Sequence, residues 1–586
     1  MTAPHTYITT TTPYVNARPH IGFALELVQA DVLARYRRGC GDAVRFQAGT
    51  DDNSLKNVLA AEAAGVEVQE FVDRNAEAFV ALGDALSLTV DDVIRTSRDP
   101  RHRPGVERFW RACSADLYRR RYEGLYCTGC EQFYPPAELR DGRCPEHQTV
   151  PQQVTEENWF FRLSRYAKPL REAITAGRLR IEPAGRRQEV LGFIDGGLED
   201  FSVSRPAMRA GGWGIPVPGD PSQVIYVWFE ALCNYVTALG YGSGDQDGEA
   251  YRRWWAGTGS RVHLIGKGVL RFHAVYWPAM LLSSGQPLPT GIFVHDYLTA
   301  GGRKISKSAG TSSAALEPAA LAAHYGIDAV RWWLLREVPR VGDADFTVER
   351  LIARADDELA NGFGNLVNRV VSMIGRYRDG RVPAGSGVPG GEELEAACRQ
   401  ADDAIGTALA DFDFRRATAA VWAIAAEANR FVNRVRPWEL AKAERTGDLA
   451  AGERLDAVLG MLLEACSVLG RVLTPFLPDA AARITLQCTP GRDGRLPSPS
   501  PVFRRLSGAE FLTGELAFQR SAEAGRDPDL GVCPDPLAEP LRFGGDRRRS
   551  LGADVLEQPD RDLAVLALRP AADNPAVPPG RGADVP

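Results

Sequence analysis

The sequence predicts an α/β protein built on a split, doubly wound parallel sheet and followed by an α-helical bundle. Near its start, strand-like and helix-like segments alternate: "TYITTTTPYV", a helix, "AVRFQAGTDD", and a second helix ended by Gly65. This alternation favours parallel strands joined by crossover helices. From about residue 350 to 480 the chain reads as long amphipathic helices, with one short Gly-rich break between Gly380 and Gly391.

Length and composition narrow the class of protein. The chain has 586 residues. Because a single hydrophobic core does not grow to this size, we expect several domains. It has no apolar run long enough for a membrane span and no secretory leader, so we expect a cytoplasmic protein. The net charge of −6 gives no general attraction to nucleic acid. We interpret the basic runs at 35–39 and 118–122 as solvated helix surface.

Residues 116–190 interrupt the alternating pattern with cysteine, proline and glycine, which indicates an insertion. Inside it, Cys127 and Cys130 form one pair and Cys144 and His147 form another. Each pair has two residues between its members, and thirteen residues separate the pairs. Two such knuckles supply the four ligands of a tetrahedral zinc ion. Because protein ligands fill all four positions, the sequence predicts one structural zinc ion.

Two further segments predict a phosphate site. His20-Ile21-Gly22 opens the first helix, where the helix N-terminus favours anions and Gly22 allows close approach of a ligand. The Gly-rich stretch 301–311 carries two lysines and two serines: Lys304, Ser306, Lys307 and Ser308. Two lysines can neutralise a triphosphate as pyrophosphate leaves, without a covalent catalyst.

Taken together, these motifs resemble the class I aminoacyl-tRNA synthetases, and most closely the methionyl-tRNA synthetase family. The resemblance covers roughly residues 5–505, in phrases such as "AGTDD", "YEGLYCTGCEQFY", "EENWFFRLSRY", "WGIPVPGDPSQVIYVWFEAL", "HLIGKGVLRFHAVYWPAML" and "NRVRPWELAK". It implies that L-methionine and Mg-ATP react to give methionyl-adenylate and pyrophosphate. The methionyl group then passes to the 3′ end of methionine tRNA.

The resemblance also implies a domain order. We expect a split Rossmann catalytic domain, a zinc-binding connective insertion, a stem-contact region with the KISKS loop, an α-helical anticodon-binding domain and a disordered tail. The two halves of the catalytic domain are expected at 1–115 and 191–295, on either side of the insertion at 116–190. The stem-contact region is expected at 296–350, the anticodon-binding domain at 351–510 and the tail at 511–586. No appended C-terminal tRNA-binding barrel is recognisable, so we expect a monomer.

Individual residues acquire roles from the same resemblance. Asp51 is similar to the carboxylate that binds the substrate ammonium. The wall of the family's methionine pocket is similar to four residues of this chain: Tyr14, Trp228, Tyr235 and His273. The implied ATP-binding residues are His20, Gly22, Phe23, Lys267, Lys304, Ser306, Lys307 and Ser308. Of these, His20, Lys304 and Lys307 are the catalytic ones. The implied anticodon-binding residues are Asn365, Arg369 and Trp438, which offer planes for stacking on unpaired bases. Taken alone, Trp228, His273 and Trp438 would be interpreted as core residues.

The sequence departs from the family pattern mainly on the nucleotide side. Phe23 stands where the signature has a second histidine, and Asn53 stands at the histidine of the family phrase GTDEHG. Gly268 replaces the aspartate near the ATP ribose, and Glu230 replaces an aspartate that is one methylene shorter. The Lys-Met-Ser-Lys-Ser phrase has become Lys-Ile-Ser-Lys-Ser, a mild change. Because one lost transition-state donor lowers a rate by about 10²–10³, reduced or altered activity stays open.

Three functions are therefore considered. The first is a methionine–tRNA ligase, including one whose altered ATP side tolerates an inhibitor. The second is a weak or inactive paralogue that binds tRNA or methionine without charging. The third transfers the methionyl group to another acceptor. The lysine loop favours an enzyme, and the implied anticodon residues argue against another acceptor. Phe23→His is expected to raise methionine-dependent ATP–pyrophosphate exchange.

Overall fold

A computed structural model of the chain describes residues 4–127, 132–134, 136–145, 148–244, 247–257, 259–305, 316–383 and 388–507. The predicted disordered tail, 511–586, lies outside these ranges, so its disorder stays a prediction. Among the helices in the described ranges, none is long and apolar enough to cross a membrane.

A six-stranded parallel sheet forms the centre of the N-terminal half. Its strands, in spatial order, are β3 (Asp92–Arg95), β2 (Ala43–Thr50), β1 (His5–Thr10), β12 (Ser260–Gly266), β13 (Gly291–His295) and β7 (Arg180–Glu182). Every neighbouring pair is parallel. The strand order reverses between β1 and β12, which is where doubly wound sheets bind ligands at their carboxyl edge.

Helices cover both faces of this sheet. They are α1 (Ile21–Gly39), α2 (Leu55–Ala63), α3 (Val68–Val80), α4 (Leu82–Ala85), α5 (His102–Ala112), α6 (Ala167–Thr175), α7 (Ala184–Asp195), α8 (Val227–Leu232), α9 (Asn234–Thr237), α10 (Glu249–Tyr251) and α11 (Trp277–Ser283). A π-helical segment, Phe272–Tyr276, leads into α11. Along α1, one apolar stripe at helical spacing is buried throughout: Ile21, Ala24, Leu25, Val28, Val32 and Leu33.

The insertion forms an antiparallel sheet of its own. Its strands, in spatial order, are β5 (Gln132–Tyr134), β4 (Leu117–Cys127), β6 (Gln152–Phe161) and β8 (Phe201–Ser202). The basic run at 118–122 therefore lies on a strand, so our interpretation as helix surface was wrong there. A run of three arginines between two tyrosines fits either period, and the long pairing with β6 selects the strand.

Two small sheets complete the N-terminal half. One joins β9 (Ser204–Pro206), β10 (Pro216–Val217) and β11 (Asp220–Ile225), and the other joins β14 (Leu298–Ala300), β15 (Arg303–Lys304) and β16 (Ala344–Asp345). The parallel strand β7 falls inside the range expected for the insertion, and β8 falls after it. The chain therefore crosses between the two sheets more than once.

Helices fill the C-terminal half of the described chain. They are α12 (Pro318–Tyr325), α13 (Ile327–Arg336), α14 (Val348–Arg354), α15 (Asn365–Arg378), α16 (Glu392–Ala410), α17 (Phe414–Val435), α18 (Pro437–Arg445), α19 (Leu449–Leu473) and α20 (Pro478–Cys488). A π-helical segment, Ala355–Gly364, joins α14 to α15. The predicted fold class, an α/β domain followed by a helical bundle, is confirmed.

The bundle docks on the parallel sheet through ring stacking. Phe412, between α16 and α17, stacks on Phe293 of β13 with 5.0 Å between ring centroids. Arg340 reinforces this contact by donating to the Asp411 carbonyl at 2.8 Å and to Glu182 of β7 at 2.7 Å. The two halves of the described chain therefore share one hydrophobic core.

Candidate active site

The start of α1 lies at the carboxyl end of β1, beside the point where the strand order reverses. His20 precedes the helix in an extended conformation, and its carbonyl accepts from the Phe23 amide at 2.9 Å. A Cβ on Gly22 would lie 3.1 Å from two atoms of the His20 ring. Glycine therefore lets the imidazole lie against the first turn, where the helix amides attract anions.

Glu26, one turn further along α1, binds the ends of two strands. Its carboxylate accepts from the Thr11 amide at 2.5 Å and from Thr11 Oγ1 at 3.2 Å. His295 Nε2, at the end of β13, lies 2.9 Å from Oε2, the oxygen that also accepts from the Thr11 hydroxyl. Both side chains are almost fully buried. Glu26 was not singled out from the sequence.

On the methionine side, Tyr14 and Asp51 lie next to each other. They form an isolated parallel bridge, and the Asp51 amide donates to the Pro13 carbonyl at 2.9 Å. The Tyr14 ring lies 6.1 Å from the Trp228 ring, centroid to centroid. Asp51 is almost wholly buried. The structure thus brings together three residues that are far apart in the sequence.

Tyr235 and His273 form the buried part of this wall. Tyr235 Oη and His273 Nε2 are 2.8 Å apart, and His273 Nδ1 lies 3.0 Å from the Val269 carbonyl. Because burial lowers the pKa of His273 to about 4, the ring is neutral at physiological pH. Nδ1 then donates to Val269 and Nε2 accepts from the tyrosine. Burial also holds the pKa of the neighbouring His263 well below its ordinary value.

Trp228 stacks on a residue that the sequence did not assign. Its ring lies parallel to that of Phe272, with 3.9 Å between centroids and 8° between planes. Phe272 immediately precedes His273 in the same π-helical segment. Its place next to a predicted pocket residue in the phrase "RFHAVYW" was the available signal.

The predicted phosphate-binding lysines are only partly described. Lys267 follows β12 and pairs with Asp343 at 2.5 Å, with Asp296 3.7 Å away. Two carboxylates therefore already balance its charge. Lys304 ends β15, which pairs antiparallel with β14. The Lys304 side chain and the residues Ser306, Lys307 and Ser308 lie outside the described part of the chain.

Two of the departures from the family pattern contact each other. Asn53 Nδ2 donates to Glu230 Oε1 at 2.6 Å, across 177 positions of sequence. His102 Nε2 lies 3.1 Å from the same oxygen, and its Nδ1 lies 2.9 Å from Thr237 Oγ1. Glu230 and His102 are fully buried. The longer glutamate and the shorter asparagine therefore form one contact between the Asp51 loop and α8, which carries Trp228.

Phe23 and Gly268 also have structural counterparts. The Phe23 ring packs edge-on against Phe79 of α3, with 5.1 Å between centroids. At Gly268, a Cβ would lie 2.2 Å from the Tyr297 hydroxyl, so the tyrosine occupies the space that a side chain would need. Tyr297 also lies under Lys267, whose Nζ is 4.5 Å from the ring centroid. Each departure is thus matched by a neighbouring side chain.

The predicted zinc ligands are half described. Cys127 and Cys144 are both buried and belong to one small cluster with Tyr134. Cys130 and His147 lie outside the described residues. Within the described ranges, no group of three or more metal-binding side chains occurs. The two described cysteines share one buried cluster, and the zinc site itself stays a prediction.

The predicted anticodon residues occupy the surface of the bundle. Asn365 starts α15 and is exposed, Arg369 is half-exposed one turn later, and Trp438 near the start of α18 is 39% exposed. Arg378, at the other end of α15, binds Glu444 of α18 at 3.0 Å. Asn365 is about 20 Å from Arg378 along the helix axis. The structure therefore ties α18 to the end of α15 opposite Asn365.

The reversal of strand order beside a His-Ile-Gly helix start, with a helical bundle docked on the sheet, defines a class I aminoacyl-tRNA synthetase. The family "tRNA synthetases class I (M)" matches residues 6–155 and 136–371. The family "Anticodon binding domain of methionyl tRNA ligase" matches residues 382–527. The chain belongs to the methionyl-tRNA synthetase family.

Similar proteins agree with this assignment. A methionine–tRNA ligase of Thermotoga maritima is 39% identical over 86% of this chain and 81% of its own length. One of Brucella suis is 38% identical over 86% of this chain and 98% of its own. The Mycobacterium tuberculosis methionyl-tRNA synthetase in complex with methionyl-adenylate superposes with a TM-score of 0.80 and 35% identity. That match covers 86% of this chain and all of that one.

Proposed function

We propose that this chain activates L-methionine with Mg-ATP to form methionyl-adenylate and transfers the methionyl group to the 3′ end of methionine tRNA. One observation carries the proposal: the buried Asp51 carboxylate and the Tyr14 and Trp228 rings meet beside the N-terminus of α1. A cation-binding group, an apolar wall and an anion-binding helix end are the three features that the reaction requires.

Methionine binding uses the first two of these features. The Asp51 carboxylate binds the substrate ammonium, and the thioether lies against Tyr14, Trp228, Tyr235 and His273. Because Tyr235 and His273 are bonded to each other and His273 is neutral, the wall presents no charge to the sulfur. Each sulfur–aromatic contact contributes about 0.3–1.5 kcal/mol.

Adenylation uses the helix end. The methionine carboxylate attacks the α-phosphorus of ATP, a new O–P bond forms, and the bond to pyrophosphate breaks. His20 and the first amides of α1 bind the phosphates, with Gly22 allowing the close approach. Lys304 and Lys307 neutralise the departing charge, and Ser306 and Ser308 donate hydrogen bonds to it. Lys267, which is paired with Asp343, contacts the nucleotide without adding net charge. Positioning and electrostatics then supply the acceleration, as in other phosphoryl transfers.

The altered nucleotide side supports an active enzyme. A protein that had lost its catalytic function would lose active-site contacts at random. Here the two changed residues Asn53 and Glu230 form a hydrogen bond with each other. Tyr297 fills the space left open at Gly268. The matches to methionine–tRNA ligases span both halves of the chain, and no observation favours a non-catalytic paralogue or a different acceptor.

The tRNA is bound by two parts of the chain, its 3′ end by the catalytic domain and its anticodon by the helical bundle. Asn365, Arg369 and Trp438 present exposed amide, guanidinium and indole groups on the bundle, where unpaired anticodon bases stack. We infer that 351–510 is the anticodon-binding domain and 296–350 the stem-contact region, with 1–115 and 191–295 forming the catalytic domain. Because its product is used by ribosomes, we place the enzyme in the cytoplasm, and we expect it to be a monomer.

One zinc ion is proposed for the insertion, 116–190. Cys127 and Cys144 are buried in one cluster, as ligands of a shared ion must be, and Cys130 and His147 would complete a tetrahedron. The ion would order the knuckles and take no part in the reaction. Metal analysis of the purified protein should find one zinc per chain, and Cys144→Ser should lose it.

Methionine-dependent ATP–pyrophosphate exchange, followed by charging of methionine tRNA, tests the proposed function. Wild-type protein should perform both, and Asp51→Asn should lower exchange by about 100-fold with a raised KM for methionine. Asp84→Asn, an exposed aspartate on α4, serves as the matched control and should leave exchange unchanged. Binding of methionine or tRNA without exchange would instead identify the paralogue.

A further inference from the structure

Two aspartates follow each other directly after β2, and the structure gives them different surroundings. Asp51 bridges to Tyr14 beside the Trp228 ring. Asp52 is fully buried, and its Oδ2 accepts from Ser97 Oγ at 2.7 Å and from Arg95 Nη2 at 3.2 Å. The second carboxylate therefore faces the end of β3, where Arg95 balances its charge. Asp51 is the carboxylate of this pair that serves the methionine pocket.

Asn57, in the first turn of α2, binds the backbone of both aspartates. Its Nδ2 donates to the Asp51 carbonyl at 3.0 Å and to the Asp52 carbonyl at 2.9 Å. Because carbonyl oxygens only accept, the amide nitrogen and not the amide oxygen must face them. Both N–H groups of one side chain are thus used on consecutive carbonyls. Asn57 is fully buried, so bulk water does not compete for these bonds.

The backbone on both sides of the Asp51 Cα is held in this way. The Asp51 amide donates to the Pro13 carbonyl at 2.9 Å, and the Asp51 carbonyl accepts from Asn57. Trp213 Nε1 adds a third donor by binding the Asp52 carbonyl at 2.8 Å. With its flanking peptide groups bound, the Asp51 side chain turns only about its own χ angles. These bonds fix the direction in which its carboxylate leaves the backbone.

From these contacts we propose that Asn57 is a positioning residue for methionine recognition. It orients the Asp51 carboxylate toward the substrate ammonium through two backbone hydrogen bonds and does not itself touch the substrate. This inference rests on the proposed function, which gives Asp51 its ligand. Charge-assisted hydrogen bonds are short and directional, and a displacement of about 1 Å lowers a rate by as much as about 10²-fold. Asn57 thereby sets how strongly the site selects ligands that carry an ammonium group.

Asn57→Leu keeps the approximate shape of the side chain and removes both donors. It should raise the KM for methionine in ATP–pyrophosphate exchange by about tenfold or more and leave kcat within about twofold. The reason is that the bond to the ammonium is made equally in the ground state and the transition state, so its loss appears in KM.

Gln286→Leu is the matched control for this variant. Gln286 also donates from its side-chain amide to a backbone carbonyl, that of Ser284 at 3.1 Å. It precedes β13 and so lies at the edge of the sheet opposite Asp51. Gln286→Leu should leave both KM and kcat unchanged.

A pair of ligands separates positioning from a general loss of structure. L-Methioninol has the ammonium and the thioether of methionine, and its deamino analogue has the thioether without the charge. Competition against labelled methionine in equilibrium dialysis measures both dissociation constants. Wild-type protein should bind methioninol more tightly by about tenfold or more. Asn57→Leu should reduce this preference to about twofold or less and change binding of the deamino analogue by less than about twofold.

Trp213→Phe is a second variant, for the case in which Asn57→Leu does not fold. It removes the donor to the Asp52 carbonyl and keeps a ring to pack against the cluster that contains Val15 and Phe71. Asn57 still binds both carbonyls in this variant. The preference for methioninol should therefore fall by only about two- to threefold.

An unchanged preference in folded Asn57→Leu, or an equal weakening of both ligands, would overturn the proposal. If that variant does not fold, an unchanged preference in Trp213→Phe would overturn it. Equal affinity of wild-type protein for the two ligands would also overturn it, because Asp51 would then bind no ammonium. Wild-type protein that shows the preference, loses it with Asn57→Leu and performs no exchange would refute the ligase function and support this inference.

Discussion

Arg331 of α13 donates from Nη2 to Asp31 Oδ2 of α1 at 2.8 Å, and both side chains are completely buried. The same guanidinium donates to the Phe476 carbonyl at 2.8 Å and to the Leu86 carbonyl at 2.9 Å. Burial raises the pKa of the Asp31 carboxyl, but Arg331, Arg35 and Thr89 together hold it below its ordinary value. One arginine therefore joins the helix that begins at the ATP site to the helical bundle.

Arg331→Met should destabilise the protein by about 3–5 kcal/mol, because it leaves the Asp31 charge buried without its main partner. The midpoint of chemical denaturation measures this effect. Asp31→Asn combined with Arg331→Met should recover part of the loss. Arg399→Ala removes an exposed ion pair with Glu395 and should cost at most about 1 kcal/mol. Equal midpoints for Arg331→Met and wild type would contradict the prediction.

Asn53 and Glu230 should behave as a coupled pair. Glu230→Asp draws the carboxylate back by one methylene, so it breaks the 2.6 Å contact with Asn53 and should lower exchange by about tenfold. Asn53→His should restore part of this loss when combined with Glu230→Asp, because the longer side chain reaches the shorter one. A double-mutant cycle on kcat/KM measures the coupling. Strictly additive effects would show that the two residues act independently.

Gly268→Ala should be tolerated only after the Tyr297 hydroxyl has been removed. The added Cβ would lie 2.2 Å from Oη but 3.4 Å from Cζ, which is an ordinary contact. Gly268→Ala alone should therefore lower both stability and exchange, and the double variant with Tyr297→Phe should recover stability. Thermal denaturation and exchange assays report the two effects. A fully stable Gly268→Ala protein would show that Tyr297 moves aside freely.

The packing of Phe23 changes the expectation for Phe23→His. The ring is held edge-on against Phe79, so an imidazole in the same rotamer would point toward α3 rather than toward His20. We now expect exchange within about twofold of wild type. Stability should fall by about 0.5–1.5 kcal/mol through loss of the aromatic pair. A large rise in exchange would reinstate the sequence-based expectation.

The KM for methionine should be constant between about pH 5.5 and 8. Burial lowers the pKa of His273 to about 4, so its ring stays neutral over that interval. The unfolded histidine takes up a proton near pH 6.5. The contribution of His273 to stability is therefore complete above that pH and is lost as the pH falls toward 4. A KM that rises tenfold between pH 8 and 6 would contradict a neutral His273.

Local sequence patterns predicted the elements, and the family resemblance predicted the methionine-side residues that the structure brings together. The apolar stripe of α1 was readable because a helix repeats every 3.6 residues. The residues that contact Glu230, Gly268 and Arg331 could not be predicted from the sequence. Each contact joins segments that are far apart in the chain, and helix or strand periodicity relates only neighbouring residues. The 118–122 run was misread because a five-residue stretch does not separate a strand from a helix.

The position of β1 inside the sheet has a consequence for synthesis on the ribosome. β1 pairs with β2 on one side and with β12 on the other, and roughly 250 residues separate β1 from β12. At about 5–20 residues per second, one edge of β1 waits about 10–50 s for its partner. During that interval the nascent chain presents the unpaired edge of a strand rich in β-branched residues, and such edges are where unwanted pairing starts. We therefore expect the emerging N-terminal half to be a substrate for ribosome-associated chaperones.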